Sequence, residues 1–260
     1  MYENPKLSRV KRIEKAKPTP TRGGESKRVY EGLKSSILTL ELVPGLSVDE
    51  SHIALKYGVS RTPIREALVR LQSEGLVVML PNRGAHIAPL DLGRIRDYLE
   101  GIDLIQRAVL KWAAFRCTPN QLPAIRESAD RFERAAAKGI NDEMVLANHD
   151  FHAAIASVCG NGLIADAYGR FLVEGLRVSR FTLNSRYFTK SNDSQAFVDL
   201  VVAEHNEMVH ALESHDVELA EKVASAHTRH TQERFAAYLQ DSLSPLVKVG
   251  PLQVGMIGLV

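Results

Sequence analysis

Four side chains in the second half of the chain are of types that bind a divalent metal ion. They are Asn148, His152, His205 and His227. Asn148 and His152 are four residues apart and so share one face of a helix. The apolar spacing around His205 and His227 places each of them on the inward face of a later helix. An amide and three imidazoles from three helices that face one core could bind zinc, nickel or manganese.

Spacing alone does not decide in favour of a metal. The chain contains nine histidines, and a single histidine is more often a buried, hydrogen-bonded imidazole or an exposed one than a ligand. Both interpretations of the three histidines stay open at this point.

A second group of side chains suits contact with phosphates and base edges. Ser60, Arg61, Thr62 and Arg65 follow Gly58, a residue type that readily takes the positive φ at which a helix ends. Ser60 is a natural N-cap, and the two arginines, four apart, share one face. A single arginine is usually a solvated surface charge. Hydroxyls, guanidinium groups and backbone N–H groups at one helix start are typical of a recognition helix.

The elements around this helix predict a winged helix-turn-helix. Apolar runs predict two helices before it and two strands after it, at residues 33–40, 53–57, 75–80 and 85–88. The strands are joined by Pro81-Asn82-Arg83-Gly84, which is a hairpin signal. Three helices followed by a hairpin make a winged domain, with Arg83 and Gly84 at the tip of the wing.

From residue 94 onward the pattern is helical. The apolar spacing predicts six helices, at 94–116, 119–138, 141–159, 162–184, 194–214 and 216–240. Six helices of this length form an antiparallel bundle with room for an internal pocket. The predicted fold is therefore mainly α, a winged helix-turn-helix followed by an all-α six-helix bundle. The predicted parts are a disordered basic arm, the winged domain, a linker, the bundle and an apolar tail of unassigned role, at 1–27, 28–88, 89–93, 94–240 and 241–260.

Charge and composition agree with a DNA-binding first domain. Residues 1–88 carry 15 Lys and Arg against 9 Asp and Glu, whereas the remainder carries 18 against 22. A basic first domain followed by an acidic remainder is expected when only the first domain contacts phosphate. The chain shows no signal peptide, no apolar run of about 18 residues and no Cys-x-x-Cys pair, so we expect a cytoplasmic protein without a membrane partner.

The chain resembles the GntR superfamily of bacterial transcription regulators, in its FadR-like subfamily. The matching segments are Pro44-Gly45, Gly58–Leu68, Glu74–Val77 and Pro81–Gly84. The resemblance implies a homodimer that binds a pseudo-palindromic site in double-stranded DNA, with the contacts made by Ser60, Arg61, Thr62, Arg65, Arg83 and Gly84. Ser51 stands where many relatives carry an arginine, so one expected base contact is absent or moved.

Residues 92–238 resemble the FCD effector domain. Its recurring motifs fall on Asn148–His152, Glu204-His205 and His227. The resemblance implies one aspartate and three histidines as metal ligands, so Asn148 stands in place of the aspartate and brings no negative charge, which lowers the expected metal affinity.

The same resemblance implies a small carboxylate effector such as a sugar acid or hydroxy acid. Relatives often pair that carboxylate with an arginine on the first bundle helix, where this chain has Ile102. The remaining candidates for effector binding are Arg177, Arg180 and Gln106.

The resulting hypothesis is a sequence-specific transcriptional regulator, with repression as the expected sign, and not an enzyme. A small organic acid in a metal-containing pocket of the bundle would control its affinity for the operator. Two alternatives remain. One is a DNA-binding dimer without an effector. The other is a metal-dependent hydrolase, since a histidine-held metal can activate water, with Glu204 as the nearest candidate base.

Overall fold

The computed structural model describes residues 22–139, 141–183 and 193–243. Within these residues the chain forms nine helices and one two-stranded antiparallel sheet. The elements are α1 (Arg22–Leu38), α2 (Glu50–Tyr57), α3 (Arg61–Ser73), β1 (Val77–Leu80), β2 (Gly84–Ile87), α4 (Leu92–Arg116), α5 (Leu122–Lys138), α6 (Asn141–Val158), α7 (Gly162–Leu183), α8 (Asp193–Glu213) and α9 (Val217–Leu243). The predicted mainly α fold is confirmed.

The helix α1 begins at Arg22, so residues 22–27 are helical and not part of a disordered arm as the sequence suggested. Residues 1–21 of that arm and residues 244–260 of the apolar tail lie outside the described residues.

The first three helices and the hairpin share a core of their own. Helix α1 packs on α3, and α3 packs on the first strand, in a core that includes Val29, Leu33, Ile37, Ile64, Leu68, Leu71 and Val77. Gly58 ends α2 with φ 63°, as its residue type predicts. The α2–α3 turn is thereby fixed, and α3 starts in the direction that presents its first residues to solvent.

The wing is a short hairpin. Leu80 pairs with Gly84 across the two strands, and Asn82 and Gly84 take the positive φ values of 60° and 74° that the tight connection requires. The segment before α2 adds a third edge to this sheet, since Ser47 forms a bridge with His86. The second strand of the wing therefore lies between the first strand and this segment.

Helices α4 to α9 form the second core. α4 packs on α7 and α9, and α5 packs on α6 and α8; the short connections make neighbouring helices antiparallel. The approach of α4 to α7 is close at Gly175, where an added Cβ would lie 2.7 Å from the Tyr98 hydroxyl oxygen. Among the described residues, every helix is too short or too polar to cross a membrane.

Candidate metal centre and nucleic-acid interface

Three predicted metal ligands come together inside the bundle. His152 of α6, His205 of α8 and His227 of α9 each offer a ring nitrogen, and these nitrogens all lie within 4.8 Å of one another. The three imidazoles are 2%, 1% and 6% exposed. Such a cluster of nitrogen donors matches the reach of a single divalent ion.

The surroundings of the triad keep two of its imidazoles neutral. His205 lies between the rings of Phe132 and Phe151, with centroid distances of 4.6 and 4.2 Å. Burial, helped by the neighbouring imidazoles, lowers the pKa of His152 and of His205 well below the usual value. A neutral imidazole offers the lone pair that a metal ion needs.

The ring nitrogens also pass a direct test of fit to a metal. Within the described part of the chain, Nδ1 of His152 and both ring nitrogens of His205 have no hydrogen-bond partner. Buried polar atoms are nearly always paired, so unpaired imidazole nitrogens within a cluster of three histidines fit a cation. The donor set suits zinc or nickel.

Glu204 orients the third imidazole. Nδ1 of His227 lies 2.7 Å from one carboxylate oxygen of Glu204, and Nδ1 of His230 lies 2.5 Å from the other. Burial by itself raises the pKa of Glu204, but the hydrogen bonds and charges of the two histidines outweigh it, and the pKa is lowered. With Nδ1 engaged by Glu204, Nε2 is the ring nitrogen of His227 that is left for a metal ion, an arrangement common for metal-bound histidine.

This carboxylate role was missed from the sequence. Two signals pointed to it: Glu204 is the direct neighbour of His205, and the three-residue spacing of His227 and His230 places both on one face of α9.

Asn148 lies on α6 one turn before His152. It is half-buried and lines the same cavity as His152 and His227. The nearby Asp150 is exposed and pairs with Arg131 at 3.2 Å, so it points away from the triad, as its position on the helix predicts. Asn148 is therefore the candidate fourth ligand, and it is uncharged.

A cavity of about 130 Å³ adjoins the triad. Its walls are mostly apolar and include Tyr98, Ile102, Phe132, Met144, Val145, Leu172, Leu176, Val178, Phe197, Val198, Val201 and Phe235. Gln106, one of the predicted effector-binding residues, also lines it. Its amide nitrogen donates to the Ala224 carbonyl and to the Thr228 hydroxyl, and its oxygen accepts from Tyr168.

The structure corrects the other two effector-binding predictions. Arg177 is fully buried and donates to the carbonyl oxygen of Ala88 at 2.5 Å and to Glu174 at 3.0 Å. Arg180 donates to the carbonyl of Leu38 at 2.7 Å and to Asp142 at 2.9 Å. Neither arginine is among the described residues that line the cavity. Both lie on the side of α7 that faces the winged domain, so their guanidinium groups join the two domains.

A third arginine completes this contact between the domains. Arg94, at the start of α4, donates to Glu174 at 2.6 Å and to the carbonyl oxygen of Gly75 at 3.0 Å. Glu174 therefore receives both Arg94 and Arg177. Three carbonyl oxygens of the winged domain are held in this way, those of Leu38, Gly75 and Ala88.

One cation among the described lining residues was overlooked from the sequence. Arg234 of α9 lines the cavity, and its guanidinium carbon lies 4.3 Å from the ring centroid of Phe197. It follows His227 by seven residues, which is two helical turns on the same face. That spacing was the available signal.

The predicted DNA-contacting side chains are all exposed. Ser60, Arg61, Thr62 and Arg65 surround the start of α3, and Arg83 and Gly84 lie at the tip of the wing. Arg61 donates to the hydroxyl of Ser51 at 3.3 Å, and Arg65 donates to Glu50 at 3.2 Å. Ser51 thus positions a neighbouring arginine, where a larger basic residue is expected from the resemblance.

Comparison with known proteins supports both halves of this description. Residues 25–87 match the family of bacterial regulatory proteins called the gntR family, and residues 97–230 match the FCD domain. An HTH-type transcriptional regulator in an unstable DNA locus of Streptomyces ambofaciens is 30% identical over 213 residues, which cover 80% of this chain and 84% of that protein.

The chain belongs to the GntR family.

Other GntR relatives agree. The HTH-type transcriptional repressor RspR of Escherichia coli K12 is 22% identical over 217 residues, covering 84% of this chain and 91% of that protein. Among solved structures, McbR/YncC of E. coli superposes with a TM-score of 0.67 at 19% identity, over 84% of this chain and 98% of that chain. A GntR regulator from Rhodococcus sp. RHA1 superposes with a TM-score of 0.64 at 21% identity, over 82% and 97%. At these identities the superpositions show the shared fold.

The family decides between the function classes. This GntR protein is a DNA-binding transcriptional regulator and not an enzyme, because its family and its relatives are regulators. The hydrolase alternative is therefore excluded.

Proposed function

We propose that this GntR regulator binds a small organic acid at the histidine triad and that its affinity for operator DNA changes in response. The observation that carries the proposal is the buried cluster of His152, His205 and His227 beside a cavity. A regulator that only dimerised and bound DNA would have no need for unpaired imidazole nitrogens in its core.

In this proposal the triad holds a divalent metal, zinc, nickel or manganese, with Asn148 as a fourth ligand. A bound metal supplies a Lewis-acid point of attachment for a carboxylate. The protein side supplies the orientation: Glu204 fixes the ring of His227, and the two phenylalanines around His205 exclude water from its ring.

The route from the cavity to the DNA is helix α7. Leu172 and Leu176 on one side of the helix line the cavity, while Glu174, Arg177 and Arg180 on the other side hold the winged domain. A ligand that moves α7 therefore also moves the winged domain, because arginines of α7 are hydrogen-bonded to its carbonyl groups. Binding at one site then shifts the population of domain arrangements.

On the DNA side, Ser60, Arg61, Thr62 and Arg65 would enter the major groove, with Arg83 and Gly84 of the wing on the adjacent backbone. Two copies of the chain in a homodimer would present two such helices to a pseudo-palindromic operator. Repression is the proposed sign, since the relative RspR is a transcriptional repressor.

The experiment uses the full chain. Metal content is measured after purification and after supplementation, and melting is then recorded with small organic acids in the presence and absence of metal. Operator binding is titrated with each acid that raises the melting temperature, at one fixed salt concentration because phosphate contacts depend on salt.

We expect bound metal, an acid that stabilises only the metal-loaded protein, and a change in operator affinity with that acid. His205→Ala should lose both the metal and the response and keep operator binding without ligand. A protein that takes up no metal even after supplementation contradicts the proposal. An acid-independent melting temperature favours the alternative of a DNA-binding dimer without an effector.

A further inference from the structure

The walls of the cavity indicate which kind of acid it accepts. We infer that the ligand is a monocarboxylic acid whose body is an unhydroxylated ring or short chain of about the size of benzene, and not a sugar acid or hydroxy acid. This inference rests on the proposed function, since it takes the triad as the point where the carboxylate attaches.

The volume limits the ligand to a small body. The cavity measures about 130 Å³. An apolar cavity of roughly 150 Å³ in another protein admits benzene, so a ring of six carbons fits here. A body of this size attached to a carboxylate reaches from the triad along the cavity.

The walls along this path are apolar and partly aromatic. Phe132, Phe197 and Phe235 line the cavity together with Val198 and Val201. Ile102, at the position where the resemblance implies an arginine for the carboxylate, is buried and adds another apolar side chain. Rings pack well against such aromatic walls.

Three polar side chains of the wall, Gln106, Thr228 and Thr231, are engaged with the protein itself. Both N–H groups of Gln106 are donated, to Ala224 and Thr228. The hydroxyls of Thr228 and Thr231 donate to carbonyl oxygens of their own helix, one turn earlier. Hydroxyl groups of a ligand would lose their water in this cavity and find few partners in exchange.

Charge gives the attachment point. With Asn148 in place of an acidic ligand, the described donors at the triad carry no negative charge of their own, so a divalent ion there keeps its full attraction for a carboxylate. The buried carboxylate of Glu204 is engaged by His227 and His230.

The test compares two acids with the same carbon skeleton. Cyclohexanecarboxylate has a bare six-membered ring, and quinate has the same ring with four hydroxyl groups; benzoate, lactate and gluconate extend the series. Dissociation constants for the metal-loaded full chain are measured by calorimetry, and metal content is measured in the same samples. We expect cyclohexanecarboxylate or benzoate to bind at least about tenfold more tightly than quinate, since one misplaced hydroxyl in an apolar pocket costs up to about a hundredfold.

Two variants at one position locate the binding site. Val198 lines the cavity and is two turns before His205. Val198→Phe fills the cavity and should weaken cyclohexanecarboxylate binding at least about tenfold with metal content unchanged. The isosteric Val198→Thr keeps the volume, adds a hydroxyl and should narrow the gap between the two acids; it also serves if the larger side chain disturbs folding.

Three outcomes would overturn the inference. Tighter binding of quinate, lactate or gluconate than of the bare acids overturns the inference and leaves the proposed acid sensing in place. Binding of the bare acids that neither Val198 variant changes also overturns it, because the ligand then lies elsewhere. If no acid of either kind binds to the metal-loaded protein, both this inference and the proposed acid sensing fail.

Discussion

Arg177 of α7 donates a hydrogen bond to the carbonyl oxygen of Ala88, 2.5 Å away, at the residue that follows the second strand of the wing. The guanidinium is fully buried, and burial lowers its pKa although the charge of Glu174 opposes this. Two turns of the same helix, at Leu172 and Leu176, line the cavity. One helix thus touches both the proposed ligand site and the wing.

Arg177→Met should uncouple acid binding in the bundle from operator affinity. The substitution retains a long unbranched side chain and removes the hydrogen bond to Ala88, while Glu174 keeps its ion pair with Arg94. Acid binding to the bundle should be unchanged, whereas the ratio of operator affinities with and without acid should fall towards one. In coupled proteins a ligand at one site usually changes the affinity at the other by about 5- to 150-fold. Calorimetry measures the first quantity, and operator titration measures the second.

The matched control is Arg170→Met, which removes an exposed arginine from the same helix and should leave the ratio as it is. Arg177→Met should also destabilise the protein by about 1–3 kcal/mol, because the Ala88 carbonyl loses its partner. A ligand response that survives in Arg177→Met shows that α7 does not transmit it through this bond.

Arg65→Ala should weaken specific operator binding while the fold stays intact. Arg65 is exposed at the start of α3, and one arginine contact to a base is worth about 1–3 kcal/mol. Operator and scrambled DNA are titrated at equal salt. Glu50→Gln is the control, since it removes the acid that holds Arg65 in the DNA-free protein and should not weaken binding. Unchanged operator affinity in Arg65→Ala means that another face of the domain reads the DNA.

Local rules predicted the parts of this protein that depend on neighbours in the sequence. They predicted that Gly58 ends α2. They also predicted that His152, His205 and His227 face one core, because the periodicity of apolar residues identifies the inward face of a helix. The same periodicity does not name the partner across that face. Arg177 and Arg180 reach Ala88 and Leu38, separated by 89 and 142 residues, so their use in the domain contact followed only from the packed structure.

Asn148→Asp should raise the affinity for metal at least about tenfold. The change adds a negative charge to the described donors of the triad, and an opposite charge at close range favours the cation. Competition with a chromophoric chelator measures the affinity. Asn206→Asp adds the same charge on an exposed side chain beside His205 in the sequence and should have little effect. Equal affinities in Asn148→Asp and the wild type place Asn148 outside the ligand set.

Glu204→Gln should lower the metal affinity about ten- to a hundredfold, the usual effect of losing a carboxylate that orients a ligand histidine. The carboxylate holds His227 and His230 through one oxygen each, and an amide accepts at only one of its two ends. Glu207→Gln alters an exposed residue of the same helix and serves as the control. If both variants bind metal like the wild type, the histidine ring is oriented by other contacts.

Glu74→Gln should change how the winged domain responds to acid. Glu74 accepts from Tyr30 at 2.6 Å and from Lys34 at 2.7 Å, and so ties α1 to the end of α3. Burial raises the pKa of Glu74, but the hydrogen bonds from Lys34 and Tyr30 and the nearby positive charges outweigh it, so the pKa is lowered. A carboxyl whose pKa is lower in the folded state stabilises that state above its unfolded pKa of about 4.3, and the contribution is lost as the pH falls through the folded value.

The wild type should therefore lose protection of the α1 and α3 amides between about pH 5 and pH 3, and Glu74→Gln should lose less over that interval from a start about 1 kcal/mol lower. Hydrogen exchange of the full chain, corrected for the intrinsic rate at each pH, measures this. Glu66→Gln changes an exposed acid on α3 and should follow the wild type. Parallel pH curves for Glu74→Gln and the wild type contradict the prediction, because the lowered pKa of this carboxyl is its entire basis.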